Sequence, residues 1–401
     1  MTSPECTRRT WPTNMRAACA LLGLLTLNVL WAKPDHNWDM LPYVAVAYQF
    51  AGESPAQAHA RTFALVQQKL AASEHRQLTE GNDYRTAVAR DPAAFNQQLP
   101  GYRVKVVYPW LIRQLTRFGL DPIRASVLIS RLSYLAVGLV VLLWLFSWTG
   151  PRWAVAVSWA IMSLSFSIDL AQLSTPDAIS TLVILAACLL MFEKGHSRAP
   201  LVLLIASVAV RPDNLLWLLA AAAYCVFRYP KQRTFAALSA ASGLLLVFGL
   251  GRWADLPGWA TLFHHAFVER VAYQEGFQPS LSPLGYVRVY LRETHPANLP
   301  QFVGLFGLIG SSLGYYRVRR YGWSDIYVAL LTTMGVFGFM HWLLYPDDDR
   351  YFIAAYLMIT IVLLRTLVFT RPSITDGSGA QLHASAHQPE HSLGVDAKQL
   401  P

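Results

Sequence analysis

Apolar runs of membrane length, separated by short and mostly basic connections, organise this chain. A run of about 20 apolar residues crosses the ~30 Å hydrocarbon core as a helix. The pattern predicts about ten membrane segments, roughly 15–33, 124–148, 152–172, 175–193, 199–210, 213–227, 234–251, 300–316, 324–344 and 351–370. Two longer stretches, about 34–123 and 252–299, lack this character and read as large loops. Within the first, Pro55 to Leu78 has helical composition, with Ala60, Phe63, Val66 and Leu70 on one face. Val104 to Leu120 is apolar but carries Lys105, Arg113 and Arg117, which predicts an amphipathic helix lying on the membrane, with a re-entrant segment as the alternative.

Basic residues orient the segments, because connections rich in Lys and Arg stay in the cytoplasm. Arg8, Arg9 and Arg16 place the N-terminus (1–14) there, and Arg152, Lys194, Arg198, Arg228, Lys231, Arg233, Arg317, Arg319, Arg320 and Arg371 follow the same rule. Ten crossings satisfy all of them with both termini inside and both large loops extracytoplasmic. A multi-pass domain then spans 15–370, followed by a Ser-, Gly-, His- and Gln-rich tail (371–401) expected to be disordered and cytoplasmic. The stretch 199–227 must go out and return between basic clusters. Its arms of about 12–15 residues reach only ~18–22 Å, so the turn Arg211-Pro212-Asp213-Asn214 should lie below the outer surface, against protein or water.

Composition supports this reading. The chain is 54% hydrophobic and 14% charged, against about 25% charged in soluble domains. Its 13 Trp, 18 Tyr and 19 Phe suit interfacial aromatic belts. The net charge of +9 fits basic loops facing anionic lipid better than nucleic-acid binding. Leu30 would occupy the −3 position of a cleavage site after Ala32, so the first helix should be retained as an uncleaved anchor. The four cysteines imply neither a disulfide framework nor a zinc site.

The polar residues of the outer side come from separate elements. They are Asp35-His36-Asn37-Trp38-Asp39, the stretch Asp169 to Asp177, Arg211 with Asp213, His264-His265, and Tyr345-Pro346-Asp347-Asp348-Asp349-Arg350. Each has a structural reading. Asp35 and Asp39 suit helix capping, Thr175-Pro176-Asp177 suits a helix start, and Arg211 with Asp213 suits a buried pair. Adjacent histidines on a helix point apart, so no metal site is expected from His264-His265. Asp347 to Asp349 read as a solvated turn or as oxygen ligands for Mg²⁺ or Mn²⁺. Their convergence on one side is what suggests a reaction centre.

The arrangement resembles the GT-C superfamily of integral-membrane glycosyltransferases, in its bacterial form. The likeness rests on Asp39-Met40-Leu41-Pro42-Tyr43 after the first helix and on Tyr108-Pro109-Trp110-Leu111 in a surface helix. Thr175-Pro176-Asp177-Ala178, Arg211-Pro212-Asp213 and Asp349-Arg350-Tyr351-Phe352 complete it. Met40 stands where many relatives carry a second acid, a place Asp35 would have to fill, and the proline that often follows the Arg-Tyr pair is absent. The resemblance implies an all-α polytopic fold in the bacterial cytoplasmic (inner) membrane. It further implies transfer of a sugar from a polyprenyl-phosphate carrier to an extracytoplasmic glycan, lipid or protein.

A departing phosphate needs cations, and the acceptor hydroxyl needs a base. Asp39, with Asp35 beside it, is the expected base. Arg350, then Arg211, then Lys105 and Arg103, are the expected phosphate ligands. Tyr43, Tyr108, Asp177, Asp213 and Asp349 are expected to contact substrate. No nucleotide cofactor and no nucleic-acid partner are expected, since no Gly-rich phosphate loop occurs on the cytoplasmic side. A transporter or lipid-linked-sugar flippase is the competing reading, and a non-catalytic assembly protein the third. A single broken hairpin and large loops fit a carrier less well.

Overall fold

The computed structural model describes residues 11–280, 282–293, 332–333, 335–336 and 349–365. They are mostly helical, and among them the only β pairing is an isolated bridge between Asp35 and Leu173. The expected segment 300–316, most of 324–344, the acids Asp347 and Asp348, Arg8 and Arg9, and the whole tail 371–401 lie outside the described residues.

Among the described residues, three helices are long and apolar enough to cross a membrane: Thr13–Trp31, within α1 (Trp11–Trp31); α9 (Pro122–Leu145); and Pro230–Trp253, which contains α15 (Arg233–Trp253). A fourth candidate is broken. Helices α10 (Pro151–Met162) and α11 (Ser165–Gln172) meet at 73°, where one segment over 152–172 is expected. Neighbouring helices support the kink. Leu164 leaves the helical region, and the groups freed at the break find partners on two neighbouring helices. Asn28 of α1 donates to Ser163 Oγ (3.0 Å) and to the Tyr134 hydroxyl (2.9 Å), and that hydroxyl donates to the Met162 carbonyl (2.8 Å). In an apolar interior such groups would otherwise cost several kcal/mol each.

The remaining apolar helices are shorter. α12 (Asp177–Cys188) continues into a π-turn at Leu189–Glu193. α13 (Arg198–Val210) and α14 (Leu215–Arg228) form the expected hairpin, and α18 (Ile353–Leu364) follows a 3₁₀ turn at Asp349–Phe352. The hairpin turn is buried, with Arg211 and Asn214 each 2% exposed, so its irregular backbone sits against protein as its short arms require. These helices share one apolar core that includes Leu25, Tyr134, Trp144, Leu185, Leu218 and Tyr356. Their outer faces are apolar as well. α15 buries little beyond Ala236, Ser239 and Gly243 and exposes Leu238, Leu244, Leu245 and Phe248, a surface that suits lipid and not water.

The segment between α1 and α9, expected as the first large loop, is a helical layer with its own core around Met40, Val44, Val66, Leu78, Phe95 and Leu99. It opens with α2 (Met40–Phe50) and α3 (Pro55–Lys69), then α4 (Ala72–Glu80), α5 (Asp83–Arg90), α6 (Pro92–Asn96), α7 (Pro100–Arg103) and α8 (Val107–Arg117). The single helix expected over 55–78 is two. Val66 and Leu78 both enter the core, and twelve residues of straight helix at 3.6 per turn would leave them about 120° apart. The buried face is also rotated from the expected one, to Ala58, His59, Thr62 and Val66, with Ala60 exposed. Side-chain caps at Ser54, Asn82, Asp91 and Asp121 start α3, α5, α6 and α9. The segment expected as the second loop includes α16 (Trp259–Phe263), a π-turn at His264–Val268 and α17 (Pro283–Glu293).

Helices α1 and α9 approach closely at Gly138, where an added Cβ would collide with Leu25 Cδ1, whereas Gly23 of α1 has open space around it. Gly138→Leu should therefore lower thermal stability in detergent, by about 1–3 kcal/mol of overpacking. Gly23→Leu, on the facing helix α1, should leave the unfolding temperature unchanged.

Candidate functional site

The site begins at the exit of α1. Ala32 O accepts from Arg131 Nη2 (3.1 Å), and the following strand-like residues turn back onto the end of α11. Asp35 N–H donates to Gln172 O (2.8 Å), and Ser174 Oγ donates to Asp35 O (2.9 Å). This stitch brings Asp35 and Asp169 to the rim of one cavity of about 580 Å³. The other lining groups include Asn37, Trp38, Asp39, Tyr84, Tyr102 and Arg350.

Asp39 stands at the N-cap position of α2, yet its side chain makes no capping bond. Its carboxylate accepts from the Tyr102 hydroxyl (2.7 Å) and from Arg350 Nη2 (2.5 Å). Burial alone would raise this carboxyl, but Arg350, Lys105 and Tyr102 overcome it and hold the group down to about 2. Burial and the Asp39 charge push the Tyr102 phenol up, so it remains a donor. Neither partner of the ion pair is sealed away, with 24% of the Asp39 side chain and 19% of the Arg350 side chain exposed.

Lys105 lies behind this pair. Its ammonium sits 5.5 Å from the Tyr43 ring centroid and 5.4 Å from that of Tyr102, a cation–π setting. It forms no salt bridge among the described residues. Burial and the Arg211 charge bring it down to about 8, against the pull of Asp39, so it loses its proton more readily than a solvated lysine. Tyr43 and Tyr108 are buried and meet edge-to-face at 5.0 Å, and Tyr108 donates to Ser126 O (3.3 Å). They form the floor that shapes Lys105 and Tyr102 and do not line the cavity.

A second polar centre lies beneath. Arg211 Nε and Nη2 fork onto the two oxygens of Asp213 (3.1 and 2.8 Å), and Nη1 pairs with Asp177, which also accepts from Thr175. The guanidinium is thus engaged by two carboxylates. The Tyr351 ring separates the two centres, with Arg211 4.2 Å and Arg350 5.0 Å from its centroid. Among the expected site residues, Asp35, Asp39 and Arg350 share the cavity, and Lys105 contacts Tyr102 at its edge. Asp177, Arg211 and Asp213 form the buried triad. Arg103 is elsewhere, donating to Gln49 (2.9 Å) and facing a separate cavity between the two loops. Asp349 is in the 3₁₀ turn that presents Arg350.

Tyr102, Tyr84, Arg85 and Arg270 join the cavity without any signal in the sequence, since they come from positions 45 to 231 residues beyond Asp39 and match no spacing motif. His265 also lines it, as a neutral ring: burial and Arg270 push its imidazole down to about 4. Among the described residues, no group of three or more His, Cys, Asp or Glu side chains is arranged to hold a metal ion. No protein-family model, curated protein or solved structure matches the chain. The fold and site define a mostly helical protein with helices long and apolar enough to cross a membrane and a polar cavity where those helices meet a layer of shorter helices.

Two outcomes follow from this geometry. Asp39 is held below its ordinary value of 3.8, so its contribution is full above that pH and is lost as pH falls from about 4 toward 2. The normal protein should be more stable than Asp39→Asn by on the order of 2 kcal/mol at pH 6, and the gap should close near pH 2 in a pH series of thermal unfolding. Arg211→Leu strands two buried carboxylates and should cost about 3–5 kcal/mol. Adding Asp177→Asn and Asp213→Asn should restore most of that loss in the same measurement.

Proposed function

We propose that the chain is a membrane glycosyltransferase of the GT-C type, moving a sugar from a polyprenyl-phosphate carrier to an extracytoplasmic acceptor. The observation that carries the reading is the Asp39 carboxylate. It opens onto a polar cavity directly after the first membrane helix, with a guanidinium, an ammonium and a phenol around it. In this reading ten helices cross a bacterial cytoplasmic membrane with both termini inside. The large loops face outward, and the carrier lipid lies in the bilayer with its phosphate at the cavity.

The chemistry follows from the charges. The acceptor oxygen attacks the anomeric carbon while the bond from that carbon to the phosphate oxygen breaks, and its electron pair leaves with the phosphate. The acceptor proton passes to Asp39. A carboxylate held near 2 is a weak base, so Arg350 has a second task. An arriving phosphate competes for the guanidinium, and as Arg350 turns to it, the burial of Asp39 raises its basicity. Lys105 supplies a second cation to the leaving phosphate without first giving up a carboxylate. Arg211 stays with Asp177 and Asp213 and holds the hairpin turn beneath Tyr351.

The competing reading is a carrier or flippase for a lipid-linked sugar, and the buried Arg211 triad favours it, since intramembrane ion pairs also mark transport paths. Lipid profiles of cells with the normal protein, a deletion and Asp39→Asn separate the two. Build-up of one polyprenyl-phosphate sugar in both altered strains supports the transferase. An unchanged profile at equal expression of the normal and Asp39→Asn proteins sinks it.

A further inference from the structure

The cavity has a second wall whose charges the transfer step leaves unused. It is formed by Asn82, Tyr84 and Arg85 of the first loop and by His265 and Arg270 of the second. The second loop is fastened there. Gln98 Nε2 donates to Ala272 O (2.7 Å) and Val271 O (3.2 Å), and Gln98 Oε1 accepts from Gln274 (2.7 Å) and from the Tyr84 hydroxyl (3.1 Å). Tyr273 donates to Asp91 (2.6 Å), and Glu275 N–H donates to Gln97 (2.9 Å). Arg270 therefore springs from a fixed base although its own side chain is exposed.

This wall offers donors. Arg270 makes no hydrogen bond or ion pair among the described residues. Arg85 uses Nη1 on the Gln77 carbonyl (2.8 Å), which leaves the rest of its fork. His265 Nδ1 accepts the Val271 N–H (3.0 Å), and this places the ring proton on Nε2 as a further donor. Asn82 Oδ1 is occupied by the Arg85 backbone N–H (2.8 Å), so its remaining groups are N–H donors. None of the cavity's acids, Asp35, Asp39 and Asp169, belongs to these two loop segments. A neutral sugar hydroxyl needs an acceptor for its proton as well as a donor. A wall of two guanidiniums and an imidazole N–H suits an oxyanion better.

We propose that Arg270, Arg85 and His265 form a subsite for an anionic oxygen group, a carboxylate or a phosphate, on the hydrophilic substrate that enters the cavity. The subsite is separate from the Arg350 and Lys105 cations assigned to the carrier phosphate. Its place in catalysis rests on the transferase reading, but its existence is a binding property and is measured without turnover.

The test is isothermal titration calorimetry on the purified full-length protein in a polyoxyethylene detergent at constant ionic strength. Glucuronate and glucose 6-phosphate are the anionic probes, and glucose is the neutral one. Saturable binding of at least one anionic probe, and none of glucose, is expected. The stronger anionic probe identifies the group as carboxylate or phosphate. Arg270→Gln should weaken that probe about tenfold to a hundredfold, the effect of losing a charge-assisted contact. Arg85→Gln should weaken it less, and Arg124→Gln, at an exposed arginine paired with Asp121 outside the cavity, should leave it unchanged. Unfolding temperatures equal to that of the normal protein check that each variant is folded. No saturable anion binding, equal binding of glucose, or anion binding lost in Lys105→Gln but kept in Arg270→Gln would each overturn the subsite. None of these results bears on lipid-linked sugar accumulation, so the subsite and the transferase reading fail separately.

Discussion

The contact between Arg350 and Asp39 joins positions 311 residues apart and decides what the cavity is. Asp39 belongs to the first turn after α1, and Arg350 to the 3₁₀ turn before the apolar helix α18. Their pairing draws the beginning of the loop layer onto the far end of the helical bundle. Without it, burial would push the Asp39 carboxyl upward with only Lys105 and Tyr102 opposing. A pair that is partly exposed keeps both groups ionised and leaves them within reach of a ligand. The Tyr102 hydroxyl then fixes which carboxylate face is offered, and Lys105 adds a positive charge that no described carboxylate pairs with.

The Arg211 triad shows the contrasting use of the same chemistry. There both acids are bound to one guanidinium and the group is buried. Such a triad is expensive to assemble and expensive to break, and its effect is to fix one geometry for a turn whose two arms are each too short to span a bilayer. Asn214 extends the lock, donating to Ser180 (2.8 Å) and to the Ser207 carbonyl (3.0 Å). Tyr351 lies between the two arginines, so the rigid centre orients the open one. A closed triad beneath and an exposed pair above let the site be firm without being shut.

Much of the architecture was legible in the sequence because membrane helices depend on local apolar runs. Helices α1, α9 and α15 and the short hairpin at 198–228 fall within a few residues of expectation. What the sequence did not reveal depended on tertiary partners. The 73° break at Ser163 needs Asn28 and Tyr134 to satisfy the freed groups, and no window around Ser163 contains them. The division of 55–78 into two helices follows from a core that must receive both Val66 and Leu78. Among site residues, Asp39, Asp35 and Arg350 were visible as polar groups beside apolar runs. Tyr102, Arg85 and Arg270 sit in ordinary polar loops, where nothing local distinguishes them from solvated residues.

The position of the cavity follows from these constraints taken together. Within the apolar bundle a charge persists only when fully paired, as Arg211 is, and such a charge is not free to act. In open solvent a carboxylate and a guanidinium are screened and weakly directed. The seam between bundle and loop layer lies between these limits. Burial there is deep enough for Asp39 to feel Arg350 and Lys105 strongly, and the space of about 580 Å³ is wide enough for a hydrophilic group to compete for them. The loops are fastened across this seam by carboxamide bonds from Gln97 and Gln98, neutral groups that hold the wall without neutralising its arginines. A salt bridge in that role would have consumed the charge that makes the wall useful, so the division between amides that fasten and cations that remain available is a requirement of the site.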